Sequence, residues 1–265
     1  MMLVEARNIS LDVPDMGHQV LFGQRRRLRI LQNVSISIAK GETVGIVGES
    51  GSGKTSLGRT LLRLYEPSEG QLVFDGEDIS HKSREALKPL RRRMQMIFQD
   101  PQSSLNPRHT IGGILRGALG LHGLDSRTAA REAILARVGL PPSALNRYPH
   151  QLSGGQRQRV GIARAIALKP DFVVADEIVS GLDVSTQAQV LDLLQGLKQE
   201  MGMALAFISH DLSVVRHLCD RVIIMRAGEI AEEGKTADVF AAPQTDFTKT
   251  LIDCIPLPEP QPGWI

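Results

Sequence analysis

The sequence predicts an α/β fold in which helices cover a mostly parallel sheet. Short apolar segments, among them 43–48, 172–177 and 204–209, are separated by stretches with helical periodicity. This alternation is typical of parallel β-α units. The pattern is interrupted between 110 and 168, where the chain is mostly helical, so we expect a helical subdomain of about 100–168 inserted into the α/β core.

The individual elements follow from hydrophobic periodicity, taken in chain order. Strands are expected at 3–13 and 28–38, the second because its apolar residues alternate with polar ones. The run TVGIVG at 43–48 is short, apolar and β-branched, as in a buried central strand. A helix is expected from about Lys54 to Leu64. Further strands are expected at 71–75, 94–98, 172–177, 204–209 and 221–226, and further helices near 184–200 and 211–219.

Composition excludes several classes of protein. The 265 residues carry a net charge of only +2, too balanced for a protein that holds nucleic acid by bulk electrostatics. Aromatic residues make up 4%, which disfavours a stacking platform for single strands. No apolar run reaches the roughly 18 residues of a membrane span, and the N-terminus lacks the apolar stretch of a signal peptide. With two cysteines, a disulfide framework is excluded and a cytosolic globular protein is expected.

A phosphate-binding loop follows the strand 43–48. The sequence GESGSGKT fits G-x-x-x-x-G-K-S/T in full and lies between a predicted strand and a predicted helix, the context that the motif requires. Glycines let backbone N–H groups wrap phosphates, the lysine reaches the β- and γ-phosphates, and the threonine hydroxyl ligates Mg²⁺. A guanine-reading N-K-x-D segment is absent, which weakens the GTPase interpretation. The predicted nucleotide ligands in this loop are Gly48, Glu49, Ser50, Gly51, Ser52, Gly53, Lys54 and Thr55.

A second acidic site is predicted where the apolar strand FVVADE ends. A carboxylate in the position of Asp176 lies beside the Mg²⁺ of a phosphate loop, as a Walker-B residue does. Glu177, one residue on, can polarise a water for attack on the γ-phosphorus. The alternative is a surface acid pair in a turn, which the presence of the phosphate loop disfavours.

A further anion site is predicted at the segment LSGGQ, residues 152–156. Ser153 suits the N-cap of a helix, and a Ser-Gly-Gly helix start offers backbone N–H groups to an anion. One chain would then carry two γ-phosphate sites but a single lysine loop. This suggests that two chains pair head to tail, so that Ser153, Gly154, Gly155 and Gln156 of one face the ATP of the other.

These motifs together resemble those of an ABC-transporter ATPase subunit, over roughly 3–260. The resemblance implies a P-loop NTPase (RecA-like) core with a small antiparallel β subdomain and an inserted α-helical subdomain. It also implies an ATP-binding domain over 3–247 and a C-terminal extension over 248–265. The matching elements follow the family's order: 48–55, Gln99, LSGGQ at 152–156, Asp176 with Glu177, the segment SGLD at 180–183, and His210.

The resemblance further implies ATP and Mg²⁺ as cofactors and assigns roles to single residues. Gln99 would touch Mg²⁺ and the attacking water, His210 would contact the γ-phosphate, and Asp183 would cross the dimer interface. Taken singly, Gln99 could be a polar loop residue and His210 a helix cap; their order in the chain favours the functional roles. The implied metal ligands are Thr55, Gln99 and Asp176, and the implied catalytic residues are Lys54, Gln99, Glu177 and His210.

Three segments, at 98–108, 147–171 and 240–260, resemble the oligopeptide, dipeptide and nickel importer branch. Within it, the chain resembles most the second ATPase subunit of peptide systems, with nickel or another small solute as the alternative cargo. The implied partners are a second, different ATPase subunit, two permease subunits and an extracytoplasmic solute-binding protein, with no nucleic acid. The implied location is peripheral, on the cytoplasmic face of the inner membrane.

The sequence departs from the family's pattern at several positions. Val13 stands where an aromatic residue usually stacks on adenine, and Phe22 is the candidate replacement. Ile178 and Gly181 replace the usual proline and alanine beside Glu177 and could loosen its positioning. Cys254 alone cannot hold an iron–sulfur cluster, which needs about four thiolates.

Two alternatives of other classes remain open at this point. A non-transport ABC ATPase of DNA repair or translation would usually carry a long insert or a second cassette, and the segment between Gln99 and Ser153 is too short for one. A non-catalytic binding subunit would explain the departures as degeneration. The basic run from Lys88 to Arg93 is interpreted as a solvated face, and the proline-rich end from Pro256 as extended chain.

Overall fold

The computed structural model describes residues 1–14 and 27–254. Phe22, most of the basic loop around it and the proline-rich end lie outside the described residues, so the expectations placed on them stay untested. The strands are β1 (Met2–Pro14), β2 (Arg27–Ala39), β3 (Thr43–Gly48), β4 (Glu69–Phe74), β5 (Glu77–Asp78), β6 (Met94–Ile97), β7 (Phe172–Asp176), β8 (Ala204–Ile208), β9 (Arg221–Arg226) and β10 (Glu229–Lys235). The helices are α1 (Lys54–Leu61), α2 (Arg84–Arg93), α3 (Pro101–Ser104), α4 (Ile111–Leu121), α5 (Thr128–Arg137), α6 (Gly154–Ile166), α7 (Val184–Met201), α8 (Leu212–Leu218), α9 (Thr236–Ala241) and α10 (Asp246–Asp253), with 3₁₀ turns at Pro142–Asn146 and Pro149–Gln151.

A six-stranded sheet in the order β10-β9-β3-β8-β7-β6 forms the centre of the fold. Its strands are parallel except for the edge strand β10, which pairs antiparallel with β9. All six residues of β3 are buried, as its uninterrupted apolar sequence predicts. The phosphate loop and the Asp176 carboxylate therefore start from the same carboxyl edge of one parallel sheet, where α/β proteins bind ligands.

The second sheet is antiparallel and has the order β2-β1-β4-β5. Long pairing between β1 and β2 runs from Met2 opposite Ala39 to Pro14 opposite Arg27, with irregularities of register along it. The expected small antiparallel β subdomain is confirmed.

Two apolar cores lie on opposite faces of the parallel sheet. Successive residues of β7 alternate between them: Val174 packs toward α1 and the antiparallel sheet, whereas Val173 and Ala175 pack toward α6 and α7. The helices α4, α5 and α6 and the 3₁₀ turn between them contact one another across the block that we expect to be the inserted subdomain. The expected α/β fold class, with its helical block, is confirmed.

The basic run from Lys88 to Arg93 is the expected solvated face only in part: Lys88 and Arg92 are exposed, whereas Arg91 and Arg93 are half-buried. It lies in α2, where Arg91 donates to the carbonyl oxygens of Leu62 and Arg63 at 2.5 and 2.7 Å. Arg93 bridges the carboxylates of Asp75 and Asp171. These arginines tie α2 to neighbouring loops because backbone carbonyls at helix ends need donors and charge-assisted bonds to carboxylates are strong.

No helix in the described ranges 1–14 and 27–254 is both long and apolar enough to cross a bilayer.

Candidate nucleotide site

The phosphate loop has a backbone that glycine makes possible at two positions. Gly53, the N-cap of α1, has a φ of 99°, a conformation that residues with a Cβ rarely adopt. At Gly48, an added Cβ would lie 2.1 Å from the carbonyl oxygen of Met225 in β9. The sequence G-x-x-x-x-G therefore allows the chain to turn from β3 into α1 directly beside the neighbouring strand.

Lys54 lies inside this loop and is only 5% exposed. Its Nζ donates to the carbonyl oxygens of Gly48 and Glu49 at 2.8 and 2.7 Å. Burial lowers the pKa of the Lys54 ammonium, while the carboxylates of Glu177 and Asp176 oppose that change. The lysine thus donates hydrogen bonds to carbonyl oxygens of its own loop. Its ammonium group lies at the centre of the loop, near the carboxylates of Glu177 and Asp176.

Asp176 and Thr55 meet as the sequence predicts. The Thr55 hydroxyl donates to Asp176 Oδ1 at 2.9 Å, and Asp176 is 2% exposed. Burial raises the pKa of Asp176 above its ordinary value, and the hydrogen bond from Thr55 partly offsets this. A buried carboxylate and a hydroxyl are the oxygen donors that Mg²⁺ prefers, so these residues fit that ion. Over the described residues, no group of three or more His, Cys, Asp or Glu side chains could hold a metal ion.

Two predicted catalytic residues, Gln99 and His210, lie next to the carboxylate of a third, Glu177. Its Oε2 accepts a hydrogen bond from Gln99 Nε2 at 2.8 Å, and His210 Nδ1 lies 3.7 Å from the same oxygen. The backbone of Glu177 has a φ of 45°, rare for a residue with a side chain, and its N–H donates to the Ile208 carbonyl of β8. A strained backbone that persists in a folded protein often marks a functional position.

A cavity of about 370 Å³ joins these groups. Its walls include two residues that we did not assign to the site, Ile30 of β2 and Ser56 of α1. Ile30 carries no chemical signature in the sequence, and only the packing of β2 against the loop reveals it. The lining residues are Ile30, Ser50, Gly51, Gly53, Lys54, Thr55, Ser56, Gln99 and Glu177.

The signature segment lies at the start of α6. Ser153 is the N-cap and accepts a hydrogen bond from the Gln156 N–H, while the Gln156 side chain accepts from the Ser153 N–H. An added Cβ on Gly155 would lie 2.5 Å from Thr186 Cγ2, so only glycine allows α6 to start this close to α7. Among the described residues that line the phosphate-loop cavity, none comes from 153–156.

The remaining predicted residues take definite positions. Asp183 is the N-cap of α7, and its hydrogen bonds with Thr186 and Ser185 hold the pKa of its carboxyl well below the usual range. Asp211 rather than His210 caps α8, so interpreting His210 as a helix cap is wrong. Ile178 is buried in the larger core, and Val13 pairs with Leu28 near the end of β1.

The family model described as "ABC transporter" matches residues 31–180, more than half of the chain. The chain belongs to the ABC transporter family. As a cassette of this family it is an ATPase that binds ATP.

Similar proteins of this family include three curated relatives. A putative peptide import ATP-binding protein of Brucella ovis is 54% identical over 88% of this chain and 74% of its own length. The oligopeptide transport ATP-binding protein AppF of Bacillus subtilis is 49% identical over 87% of this chain and 71% of its own. The oligopeptide transport ATP-binding protein OppF of Streptococcus mutans is 45% identical over 97% of this chain and 83% of its own.

The fold is also similar to solved cassettes. The ATP-binding cassette MJ0796, solved as a dimer in a post-hydrolysis state with ADP and Pi, has a TM-score of 0.76 and 28% identity, covering 88% of this chain and 99% of its own. The dimeric structure of the same cassette described as a bacterial ABC transporter cassette has a TM-score of 0.77 and 30% identity over the same shares.

Proposed function

We propose that this chain is the ATP-hydrolysing subunit of an importer for di- or oligopeptides. The observation that carries this proposal is the set of relatives named for peptide or oligopeptide transport, at 45–54% identity over 87–97% of the chain. At such identity a cassette commonly keeps its partners, and the names favour peptides over the nickel chelates that the sequence left open.

The cassette works within a larger complex in this proposal. Two permease subunits form the pathway, an extracytoplasmic binding protein delivers the peptide, and a second, different ATPase subunit completes the nucleotide-binding pair. The chain then lies peripherally on the cytoplasmic face of the membrane. ATP binding brings the two cassettes together, and hydrolysis releases them.

Binding of ATP falls to the phosphate loop and to Lys54. The loop's N–H groups donate hydrogen bonds to the phosphate oxygens, and the buried ammonium group of Lys54 neutralises their charge. The start of α6, with Ser153, Gly154, Gly155 and Gln156, faces the ATP of the opposite cassette, to which Gly154 and Gly155 offer their N–H groups. Asp183 lies across that interface.

Hydrolysis falls to Glu177. Its carboxylate takes a proton from the attacking water, Gln99 orients both the carboxylate and the water, and His210 donates toward the γ-phosphate. Thr55, Asp176 and Gln99 hold Mg²⁺ when it is bound, and the ion neutralises charge that develops on the phosphate oxygens.

Peptide uptake by cells carrying Lys54→Ala tests the whole proposal. We expect uptake of a labelled tripeptide to be abolished, because the variant removes the charge at the centre of the loop. Lys249→Ala, which removes an exposed lysine on α10, is the matched control and should leave uptake unchanged. Full peptide uptake by the Lys54 variant would contradict the assigned loop chemistry, and nickel uptake with no peptide uptake in the wild type would contradict the cargo.

A further inference from the structure

A second cavity, of about 320 Å³, adjoins the segment that follows Glu177. Three parts of the chain form its walls: the loop 99–101, the first turns of α6, and the segment 178–182. The loop 99–101 begins with Gln99, which bonds Glu177, and α6 begins at the signature. The cavity therefore lies where all three functional segments of the cassette meet. Its lining residues are Gln99, Asp100, Pro101, Gly154, Arg157, Gln158, Ile178, Ser180, Gly181 and Leu182.

Gln158 on α6 contributes a buried amide to this cavity wall. It is 2% exposed, and its Nε2 has no hydrogen-bond acceptor among the residues that the structure describes. Nε of the adjacent Arg157, which also lines the cavity, is likewise buried without an acceptor. An unsatisfied buried amide destabilises a protein, so a native fold that retains one has a reason outside this conformation.

The segment 178–182 offers acceptors, and its end at 180–182 borders open space, whereas Ile178 and Val179 are buried in the core. Within it, two N–H groups bond back to the carbonyls of Glu177 and Val179 in tight turns, which leaves other carbonyls of the segment available. At Gly181, where φ is +77°, an added Cβ would meet nothing within 4 Å, so open space surrounds that turn. A shift of this segment toward α6 would bring its carbonyls to the Gln158 amide.

Such a shift would also reorient Glu177. Glu177 directly precedes the segment, and its backbone has a φ of 45°. In this structure its carboxylate accepts a hydrogen bond from Gln99. A hydrogen bond from Gln158 to the segment would fix the backbone that carries Glu177. It would also join that backbone to α6, whose first turn contains the signature residues.

We propose that Gln158 is a positioning residue for Glu177. In the hydrolysis-competent conformation its amide N–H donates to a backbone carbonyl of 178–182, and in the conformation described here that bond is open. This inference rests on the proposed role of Glu177 as the general base. It also gives α6 two roles. The first turn of the helix faces the ATP of the opposite cassette, and Gln158 on the same helix positions Glu177 at the nucleotide site of its own chain.

The test is Gln158→Met in the full-length chain, a substitution of similar shape without the amide. We expect the kcat of ATP hydrolysis to fall by about three- to tenfold, the effect of one neutral hydrogen bond, with the KM for ATP unchanged. Thermal stability should stay equal or rise, because the variant removes an unsatisfied buried donor. Gln195→Met on the exposed face of α7 is the matched control and should change none of these quantities.

Hydrogen exchange gives a second, independent readout. We expect ATP to slow amide exchange over 178–182 in the wild type and in Gln195→Met, but not in Gln158→Met. A Gln158→Met variant with wild-type kcat would overturn the inference, and so would one whose activity falls only together with its unfolding temperature, since that result indicates a structural role. If Glu177→Gln in a chain that keeps Gln158 leaves the rate of ATP hydrolysis unchanged, the proposed function itself is overturned.

Discussion

Two side chains contact the carboxylate of Glu177, and a strand of the parallel sheet accepts a hydrogen bond from its backbone. Gln99 donates to Oε2, His210 lies 3.7 Å from the same atom, and the Glu177 N–H bonds to the end of β8. A base that must meet a water in one orientation needs such restraint, because misplacement lowers the rate steeply. Ile178, the residue that follows Glu177, is buried in the core.

Glu177→Gln should therefore lower the kcat of ATP hydrolysis by about 10²- to 10⁴-fold, the usual contribution of a general base. The amide keeps the shape and the contact with Gln99 but cannot take a proton. ATP affinity, measured with a fluorescent analogue, should stay within about twofold, because Lys54 and the phosphate loop are untouched. A variant that hydrolyses ATP at the wild-type rate would show that another group is the base.

Asp78 provides a prediction about pH. Its carboxylate accepts from the Ser80 N–H, the Ser80 hydroxyl and the Gln71 amide, and these bonds lower its pKa to about 2. Since the folded pKa lies below the ordinary value of about 3.9, the carboxylate stabilises the fold above pH 4. That contribution is lost as the pH falls from about 4 toward 2.

The measurement is the urea midpoint of the wild type and of Asp78→Asn at several pH values. The wild type should have the higher midpoint at pH 6, and the gap should narrow as the pH is lowered below about 4. Asp246→Asn, at a fully exposed carboxylate on α10, serves as the control. A gap that stays constant over this range would rule out the low pKa of Asp78.

The residues of the site could be predicted from sequence to the extent that each has its own chemical signature. The loop 48–55, Asp176 and Glu177 carry charges and glycines at fixed spacing, and they meet in one place. Gln158 and Ile30 could not be predicted, because an amide or an aliphatic side chain in a helix or strand looks ordinary until its surroundings are known. Val13 is half-buried at the end of β1.

At the scale of the elements, the close approach of α1 to the parallel sheet depends on a glycine. An added Cβ at Gly58 would lie 2.7 Å from Ile208 Cδ1 and 2.9 Å from Val174 Cγ1. Replacing glycine with alanine inside a helix normally stabilises a protein by about 0.5–1 kcal/mol. Here the methyl group would push α1, and with it Lys54 and Thr55, away from β7 and β8.

Gly58→Ala should therefore destabilise the protein by about 1–3 kcal/mol, the usual effect of overpacking a core. Gly196→Ala on the exposed face of α7, where an added Cβ meets nothing within 4 Å, should stabilise it instead. Chemical denaturation of the two variants and the wild type compares them directly. Equal effects of the same sign at both glycines would contradict the packing argument.

Most elements with strong apolar periodicity could be predicted, and those that were missed lack it. The edge strand β10 has the sequence EIAEEGK, with no fully buried residue, because one of its sides faces no further strand. The helix α2 has few apolar residues and contains Pro89; Leu87 and Leu90 pack in the core, and Arg91 also ties the helix to backbone carbonyls. The helix α1 ends earlier than expected because Arg63 adopts a φ of 52° and donates to the Ile79 carbonyl.

At the scale of the whole molecule, the proposed function gives one chain two halves of different nucleotide sites. The phosphate loop, Asp176 and Glu177 share one edge of the parallel sheet, whereas the signature starts α6 and does not line the phosphate-loop cavity within the described part of the chain. The Ser153 cap holds the first turn of α6 in place through the hydrogen bond from the Gln156 N–H. In the proposed pair, a second cassette in head-to-tail orientation would bring the two halves together.

ATP should therefore promote the association of two cassettes, and a variant that lacks the general base should stay associated. We expect Glu177→Gln to form a stable pair with ATP and Mg²⁺, either with itself or with the partner ATPase subunit, because nucleotide binds but is not hydrolysed. Size-exclusion chromatography with light scattering should give about twice the 29.0 kDa mass of the chain for a pair of identical cassettes. Glu177→Gln combined with Lys54→Ala should remain a monomer with ATP, since the loop's charge is lost. Pairing that is equal with and without ATP would show that the signature is not an ATP ligand.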